Sequence, residues 1–246
     1  MNALRSFLLN LYVVWVLSVF SFFMILFLPF FLFPPLFGPR AVSVTYFFLK
    51  AWSWIFSKLN FIPYQILHRE NIERNKAYIY ISNHTSFLDI PGITMMIKGQ
   101  FRPLAKKELK KLPVFGWIAQ AASVIVDRSS NESRRKSMEH LKKILEMNIP
   151  ILIFPEGTQN RTAELLQPFY DGAFRIAIET QQPIMPVVII GAGRLMPPGK
   201  FFIQPGKIKI VVGNEITTEG LQLKDVAQLK AQVQESMLNL FQQHPG

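Results

Sequence analysis

The N-terminal segment constrains the fold most strongly, because residues 6–38 contain no charged side chain. About twenty apolar residues are enough for a helix that crosses the hydrocarbon core of a bilayer. Pro29, Pro34 and Pro35 limit a regular helix to about residues 6–28, or require a kink. A signal peptide would have a shorter apolar region and a cleavage site, and neither is visible. We predict a membrane-associated helix, and the sequence leaves open whether it spans the bilayer or enters one leaflet.

A second segment, residues 41–59, has a different character. It combines aromatic side chains with Lys50 and Lys58, a mixture that suits the headgroup boundary of a membrane. We therefore predict that residues 1–60 form a membrane-associated helical hairpin. The basic remainder of the chain favours the cytoplasmic side of that membrane.

Composition narrows the classes of site and partner. Because the chain has no cysteine, disulfides, zinc–thiolate centres and cysteine nucleophiles are excluded. A net charge of +11 indicates an anionic partner. Half of the residues are hydrophobic. This balance favours a membrane surface and an anionic substrate, and we expect no nucleic-acid partner.

Residues 61–246 are predicted to form an α/β domain with a mostly parallel central sheet flanked by helices, because short apolar runs alternate with amphipathic stretches. We expect residues 201–212 to form a hairpin at one edge. No glycine loop of a dinucleotide or ATP site is present. The candidate strands are residues 77–82, 123–126, 149–154, 184–190 and 207–212. The candidate helices lie near residues 89–97, 130–147, 171–180 and 223–241.

Proton chemistry is predicted at His84, the one histidine of four that ends an apolar strand-like run. Asp89 follows five residues later and provides a carboxylate that can orient the imidazole. No Gly-x-Ser-x-Gly elbow surrounds Ser86, so we assign the nucleophile to a substrate hydroxyl that His84 deprotonates. Backbone amides of the turn after His84 are expected to stabilise the oxyanion. A hydrogen-bonded pair without catalytic function is the alternative.

A second polar motif, FPEGT at residues 154–158, also follows an apolar run. Ligands of open α/β sheets bind outside the carboxyl ends of the strands, so both motifs are expected to converge on one crevice. Carboxylates are not clustered as metal ligands, and His84 has no second histidine nearby in sequence. We expect no metal there.

The two motifs carry a family resemblance. NHTSFLD at residues 83–89 resembles the NHx₄D motif of the glycerolipid acyltransferases, and FPEGT is similar to their FPEGT motif. The likeness covers about residues 60–215, and the apolar hairpin suits the bacterial-type 1-acylglycerol-3-phosphate acyltransferases. Further similar segments follow in the family's order: KKEL at 106–109, PVFGW at 113–117, VDR at 126–128 and PIMPV at 183–187.

The resemblance implies a role for each motif. His84 and Asp89 would form the catalytic dyad. Gln159 departs from the family, in which many members carry arginine after the FPEGT threonine, and this weakens the expected phosphate site. The implied substrate-binding residues are Lys106, Arg128 and Arg161 for the phosphate, and Glu156, Gly157 and Thr158 for the glycerol pocket.

The implied reaction moves a fatty acyl group from acyl-CoA or acyl carrier protein to the sn-2 hydroxyl of lysophosphatidic acid, forming phosphatidic acid. No cofactor is implied besides this donor. Membrane lipids are the further partner, and the implied location is the cytoplasmic face of a membrane, the bacterial inner membrane for a chain of this type. The same chemistry on another lysolipid, hydrolysis, and non-catalytic lipid binding by a membrane-tethered protein remain alternatives.

Overall fold

The computed structural model describes residues 3–245 except 75, 113, 128, 129 and 201, and leaves the side chains of residues 131 and 134 undescribed. The described chain forms helices and strands in alternation after an N-terminal helical hairpin. The helices are α1 Ala3–Leu32, α2 Val42–Leu59, α3 Asp89–Met96, α4 Phe115–Ala122, α5 Asn131–Glu146, α6 Gly172–Thr180, α7 Ala192–Leu195 and α8 Val226–Gln243. The strands are β1 Tyr64–Leu67, β2 Ile79–Ser82, β3 Arg102–Lys106, β4 Val124–Val126, β5 Ile151–Ile153, β6 Ile184–Ile190 and β7 Ile208–Val212.

The strands form one sheet in the order β1-β7-β6-β2-β5-β3-β4. All neighbouring pairs are parallel except β6 with β7. Strands β2, β5 and β6 are buried along their whole length, as expected for parallel strands that are covered on both faces. The predicted α/β architecture with a mostly parallel sheet is confirmed.

Alternate strand residues divide the core into two layers. Tyr80 and Leu152 point to the face that is covered by α1, α2, α3 and α4. Ile79 and Ile151 point to the opposite face, which is covered by α5, α6 and α8. Helices α1 and α2 complete one of the two layers. The division of the chain into two domains at residue 60 stays a prediction.

Helix α1 continues through Pro29, beyond the predicted limit of a regular helix. The backbone N–H of Phe33 donates to Pro29 O at 2.9 Å, so the helical pattern resumes after the proline. The segment Leu4–Phe37 has a mean hydropathy of 2.6 and is long and apolar enough to cross a membrane. Its outward side chains include several large apolar residues exposed to solvent: Phe7, Leu11, Trp15, Phe22, Leu26 and Phe30.

The hairpin expected at residues 201–212 is wrong. Residues 202–207 form no strand, and β7 pairs antiparallel with β6 and parallel with β1. At Gly206, where φ is 155°, the N–H donates to Phe61 O at 3.2 Å. A bond to the segment before β1 therefore takes the place of a local turn.

Candidate active site

His84 lies immediately after the carboxyl end of β2, and its backbone is fixed from both sides. The preceding Asn83 donates through Nδ2 to Ile189 O at 2.9 Å and accepts the Ile189 N–H through Oδ1 at 2.7 Å. This side chain extends the pairing of β2 with β6 beyond the last strand residue. His84 O in turn accepts the N–H of Asn160 at 2.6 Å.

Asp89, the first residue of α3, holds the imidazole. The His84 Nδ1 and Asp89 Oδ2 atoms are 2.7 Å apart, and the backbone N–H groups of Thr85 and Ser86 donate to the same oxygen at 2.8 and 2.9 Å. Asp89 is fully buried. An ionised carboxylate accepts at Oδ2, so Nδ1 carries the proton and Nε2 is the unprotonated nitrogen of the neutral ring.

Two backbone amides of this turn, those of Thr85 and Ser86, are therefore already bonded to Asp89. Backbone amides of this turn were expected to stabilise an oxyanion. Because the N–H groups of Thr85 and Ser86 donate to Asp89, that role stays a prediction for the rest of the turn. Only the folded geometry reveals the competing acceptor. The same bonds instead help to balance the charge of a buried carboxylate.

The imidazole stacks on a side chain from the second motif. The ring of Phe154 lies parallel to that of His84, with 4.1 Å between the centroids and 18° between the planes. Asp89 at one edge and Phe154 on one face leave the imidazole little rotational freedom. The predicted convergence of the two motifs is observed.

Glu156 links the two motifs through their backbones. Its Oε1 accepts the N–H of His84 at 3.2 Å, and its Oε2 accepts the N–H of Gln167 at 3.0 Å. The residue is 3% exposed, and burial raises the pKa of its carboxyl group against the effect of these two bonds. Glu156 thus supports the loops around His84, whereas the sequence suggested contact with the acceptor.

A cavity of about 900 Å³ extends from His84 into the layer formed by the first four helices. Its walls are mostly apolar. Near His84 they come from the FPEGT loop and the loop after α7, and farther away from α1, α2, α3, β3 and α4. Representative lining residues are Val16, Phe20, Leu49, Trp52, Thr94, Leu104, Ala119, Phe154, Met196 and Phe202.

The predicted substrate-binding residues are placed as follows. Lys106, at the end of β3, lines the cavity together with Gly157, Thr158 and Arg161. Arg161 lies against the backbone of Gly199, since a Cβ at that glycine would be 3.2 Å from the guanidinium carbon. Within the described part of the chain, neither Lys106 nor Arg161 forms an ion pair with a carboxylate. Arg128 lies outside the described residues, and Glu156 is absent from the described cavity lining.

Sequence reasoning missed several supporting residues. Asn83 and Asn160 fix the His84 backbone, and Gln167 donates to Asn160 Oδ1 through Nε2 at 3.1 Å. Asn83 stands next to His84 in the motif, which was the one available signal. The contribution of Gln167 depends on a loop closure that local sequence does not encode. Across the described residues, no group of three or more His, Asp or Glu side chains is arranged to bind a metal ion.

Known proteins resemble this chain in sequence and in fold. The profile of the acyltransferase family matches residues 63–190. An uncharacterized acyltransferase of Schizosaccharomyces pombe is 31% identical over 198 residues, which are 79% of this chain and 71% of the relative. Human 1-acyl-sn-glycerol-3-phosphate acyltransferase alpha is 32% identical over 171 residues, and the Saccharomyces cerevisiae 1-acyl-sn-glycerol-3-phosphate acyltransferase is 30% identical over 185. These matches cover 69% and 73% of this chain, and each spans 60% of the relative.

A solved structure has the same fold over its whole length. The crystal structure of the 1-acyl-sn-glycerophosphate acyltransferase PlsC from Thermotoga maritima aligns with a TM-score of 0.80 at 24% identity, covering 100% of this chain and 99% of that one. At this identity the likeness concerns the fold. The family resemblance predicted from the motifs is confirmed by the profile match over more than half of the chain. The chain belongs to the acyltransferase family.

Proposed function

We propose that this chain transfers a fatty acyl group from a thioester donor to the sn-2 hydroxyl of lysophosphatidic acid, giving phosphatidic acid and a free thiol. One observation carries the proposal: a histidine that is bonded to a buried aspartate stands at the edge of a large apolar cavity. The lining of this cavity includes Lys106 and Arg161, which form no ion pair with the carboxylates that the structure describes. The relatives named as 1-acyl-sn-glycerol-3-phosphate acyltransferases support the choice of acceptor.

His84 is the proposed general base. With Nδ1–H donating to Asp89, Nε2 is free to accept the proton of the acceptor hydroxyl. Asp89 stabilises the imidazolium that forms and keeps the ring in one tautomer. Stacking on Phe154 fixes the plane of the ring and thus the direction from which the hydroxyl approaches.

The reaction then balances without an acyl-enzyme. The hydroxyl oxygen attacks the thioester carbonyl as its proton passes to Nε2, and a tetrahedral intermediate forms. Collapse of the intermediate re-forms the carbonyl, breaks the carbon–sulfur bond and expels the thiolate. The imidazolium proton passes to the thiolate, which regenerates neutral His84. No cofactor is required besides the donor, acyl-CoA or acyl carrier protein.

The cavity accommodates the two chemically different parts of these substrates. Its apolar walls, formed by α1 through α4, suit a fatty acyl chain, because burial of methylene groups provides the main affinity for such a ligand. Lys106 and Arg161 lie in the same lining and suit a phosphate, which accepts charge-assisted hydrogen bonds. The exposed apolar side of α1 supports a location of the protein at a membrane, and we propose the cytoplasmic face.

An acceptor experiment tests the proposal. Purified full-length protein in micelles is given an acyl thioester with lysophosphatidic acid, with another lysolipid, or without acceptor, and thiol release and lipid product are measured. Release that depends on lysophosphatidic acid and yields phosphatidic acid supports the proposal. Release without acceptor indicates a hydrolase, transfer only to another lysolipid reassigns the acceptor, and no release indicates a lipid-binding protein.

The phosphate contacts give a prediction for the acceptor. Lys106→Ala and Arg161→Ala are each expected to raise the KM for lysophosphatidic acid by about 10- to 100-fold. This is the effect expected when one hydrogen bond to a charged group is lost. The KM for the thioester should stay near the parental value. Lys224→Ala, an exposed lysine that does not line the cavity, is the matched control. An unchanged acceptor KM in both variants would refute the phosphate role.

Glu156 gives a prediction for stability. In Glu156→Gln only one oxygen remains, so either His84 N–H or Gln167 N–H loses its buried acceptor, which costs about 1–3 kcal/mol. We expect the melting temperature to fall by about 2–4 °C for each kcal/mol lost from the free energy of unfolding. We also expect kcat to fall. Thermal unfolding in detergent measures the first effect. Glu164→Gln alters an exposed side chain of the same loop and should change neither quantity.

A further inference from the structure

The turn formed by Thr85 and Ser86 determines where the Asp89 carboxylate sits. Its two N–H groups and His84 Nδ1–H converge on Oδ2, and Oδ1 has no partner in the described part of the chain. Two of the three hydrogen bonds to this buried side chain therefore depend on the backbone conformation of Thr85 and Ser86. A small rotation of either peptide would weaken the hold of Asp89 on the imidazole.

The short helix α7 packs directly on this turn. A Cβ added at Gly193 would lie 3.0 Å from Thr85 Cβ, 3.2 Å from Thr85 Oγ1 and 3.4 Å from Thr85 O. The first two separations are shorter than ordinary van der Waals contact, so an alanine at this position would push Thr85 away by a few tenths of an ångström. Helix α7 therefore lies against the Thr85 side of the turn.

A hydrogen bond fixes the next residue. The fully buried Ser86 donates through Oγ to Met196 O at 2.8 Å, and the same Oγ accepts the N–H of Leu88 at 3.2 Å. Met196 N–H donates to Ala192 O at 2.9 Å, so this acceptor is itself held by the last turn of α7. The turn after His84 is thus restrained by packing at one residue and by a hydrogen bond at the next.

Helix α7, which supplies both restraints, is also connected to the residue before His84 through strand β6. Helix α7 follows β6, whose Ile189 exchanges two hydrogen bonds with the Asn83 side chain. Strand β6 is buried along its whole length in the centre of the sheet. Residues 189–196 therefore bind both ends of the segment 83–86: Ile189 bonds to Asn83, and Met196 bonds to Ser86.

We propose that Gly193 and Ser86 are positioning residues of the reaction, which set the geometry of the His84–Asp89 pair by restraining the turn between them. This inference rests on the proposed function of His84 as the base. Neither residue contacts the reacting atoms. Their effect passes through the N–H groups of Thr85 and Ser86, and it is felt in the chemical step because misplacement of a catalytic group by about 1 Å can cost a factor of 10² in rate.

Gly193→Ala is the direct test, in the full-length protein in micelles. We expect kcat to fall by about 10- to 100-fold with the acceptor KM within about twofold of the parental value. Gly172→Ala is the matched control, because a Cβ at that helical glycine meets nothing within 4 Å. Ser86→Ala acts on the same turn without adding volume, and it decides the question if Gly193→Ala fails to fold.

A spectroscopic signature separates positioning from a general loss of stability. The chain has four histidines, so ¹⁵N-histidine labelling gives few signals, and His84→Ala assigns those of His84. We expect the low-field Nδ1–H signal of His84 to shift or broaden in Gly193→Ala and Ser86→Ala, and to be unchanged in Gly172→Ala.

The outcomes are distinguishable. Parental kcat, or a parental His84 signal, in both Gly193→Ala and Ser86→Ala would overturn the positioning role while leaving the proposed function intact. A parental enzyme that is inactive with every acceptor would refute the proposed function, and the His84 signal would still report whether the turn sets the geometry of the pair.

Discussion

His84→Ala is expected to lower kcat for acyl transfer by about 10²–10⁴-fold, the usual contribution of a general base. The alanine removes Nε2, the proposed proton acceptor, and leaves Asp89 with its two backbone N–H donors. The fold and the cavity walls farther from the site should persist. Steady-state kinetics with lysophosphatidic acid and an acyl thioester give kcat, and thermal unfolding verifies that the variant is folded.

The chain offers a matched control for this substitution. His140 is exposed on α5 and does not line the cavity, so His140→Ala should retain the parental kcat. If His84→Ala kept the parental rate, the base would have to be another group. If the variant lost thioester binding together with the rate, the role of His84 would lie in the ground-state complex instead.

The sheet and the meeting of the two motifs were predictable because both depend on local pattern. The runs that became β2, β5 and β6 are continuous and apolar, and strands with this pattern are buried in parallel sheets. Since the carboxyl ends of parallel strands lie at one edge, His84 and Phe154 had to come close. Their stacking at 4.1 Å is the result.

Two strands were missed because their sequences carry a weak signal. Strand β1 reads YQIL and is only half-buried, and β3 reads RPLAK, which begins with a buried arginine and includes a proline. Each occupies an outer part of the sheet, where covering helices and loops determine burial. Propensity over four or five residues could not anticipate that environment.

Other features depend on contacts between distant segments. Glu156 accepts N–H groups from residues 72 positions before it and 11 after it, so its supporting role could not be derived from the motif. The cavity is walled by helices from the first sixty residues and by loops near residue 200. Its location therefore follows from the packing of α1 and α2 on the sheet, which the apolar pattern of those helices did not specify.

The packing of α1 and α2 predicts a severe effect of truncation. Tyr46, Trp52 and Phe56 of α2 are each less than 7% exposed and belong to the core layer with α3 and the sheet. Full burial of such a side chain contributes about 1.5–3 kcal/mol to the free energy of unfolding. The total free energy of unfolding of a domain is only about 5–15 kcal/mol. We expect residues 61–246 alone to be insoluble or unfolded, as judged by size-exclusion chromatography and circular dichroism.

Substitution on the outer side of the same helix separates packing from membrane attachment. Phe47 and Trp54 lie two turns apart on α2 and are 68% and 57% exposed. The double variant Phe47→Glu/Trp54→Glu should keep the parental melting temperature in detergent but bind lipid vesicles more weakly, because interfacial aromatic anchors are replaced by charges.

The two experiments have different contradicting outcomes. A soluble, folded 61–246 fragment would contradict the packing role of the hairpin. Undiminished vesicle binding by the double variant would assign the attachment to α1 alone, whose apolar outer face is untouched by these changes.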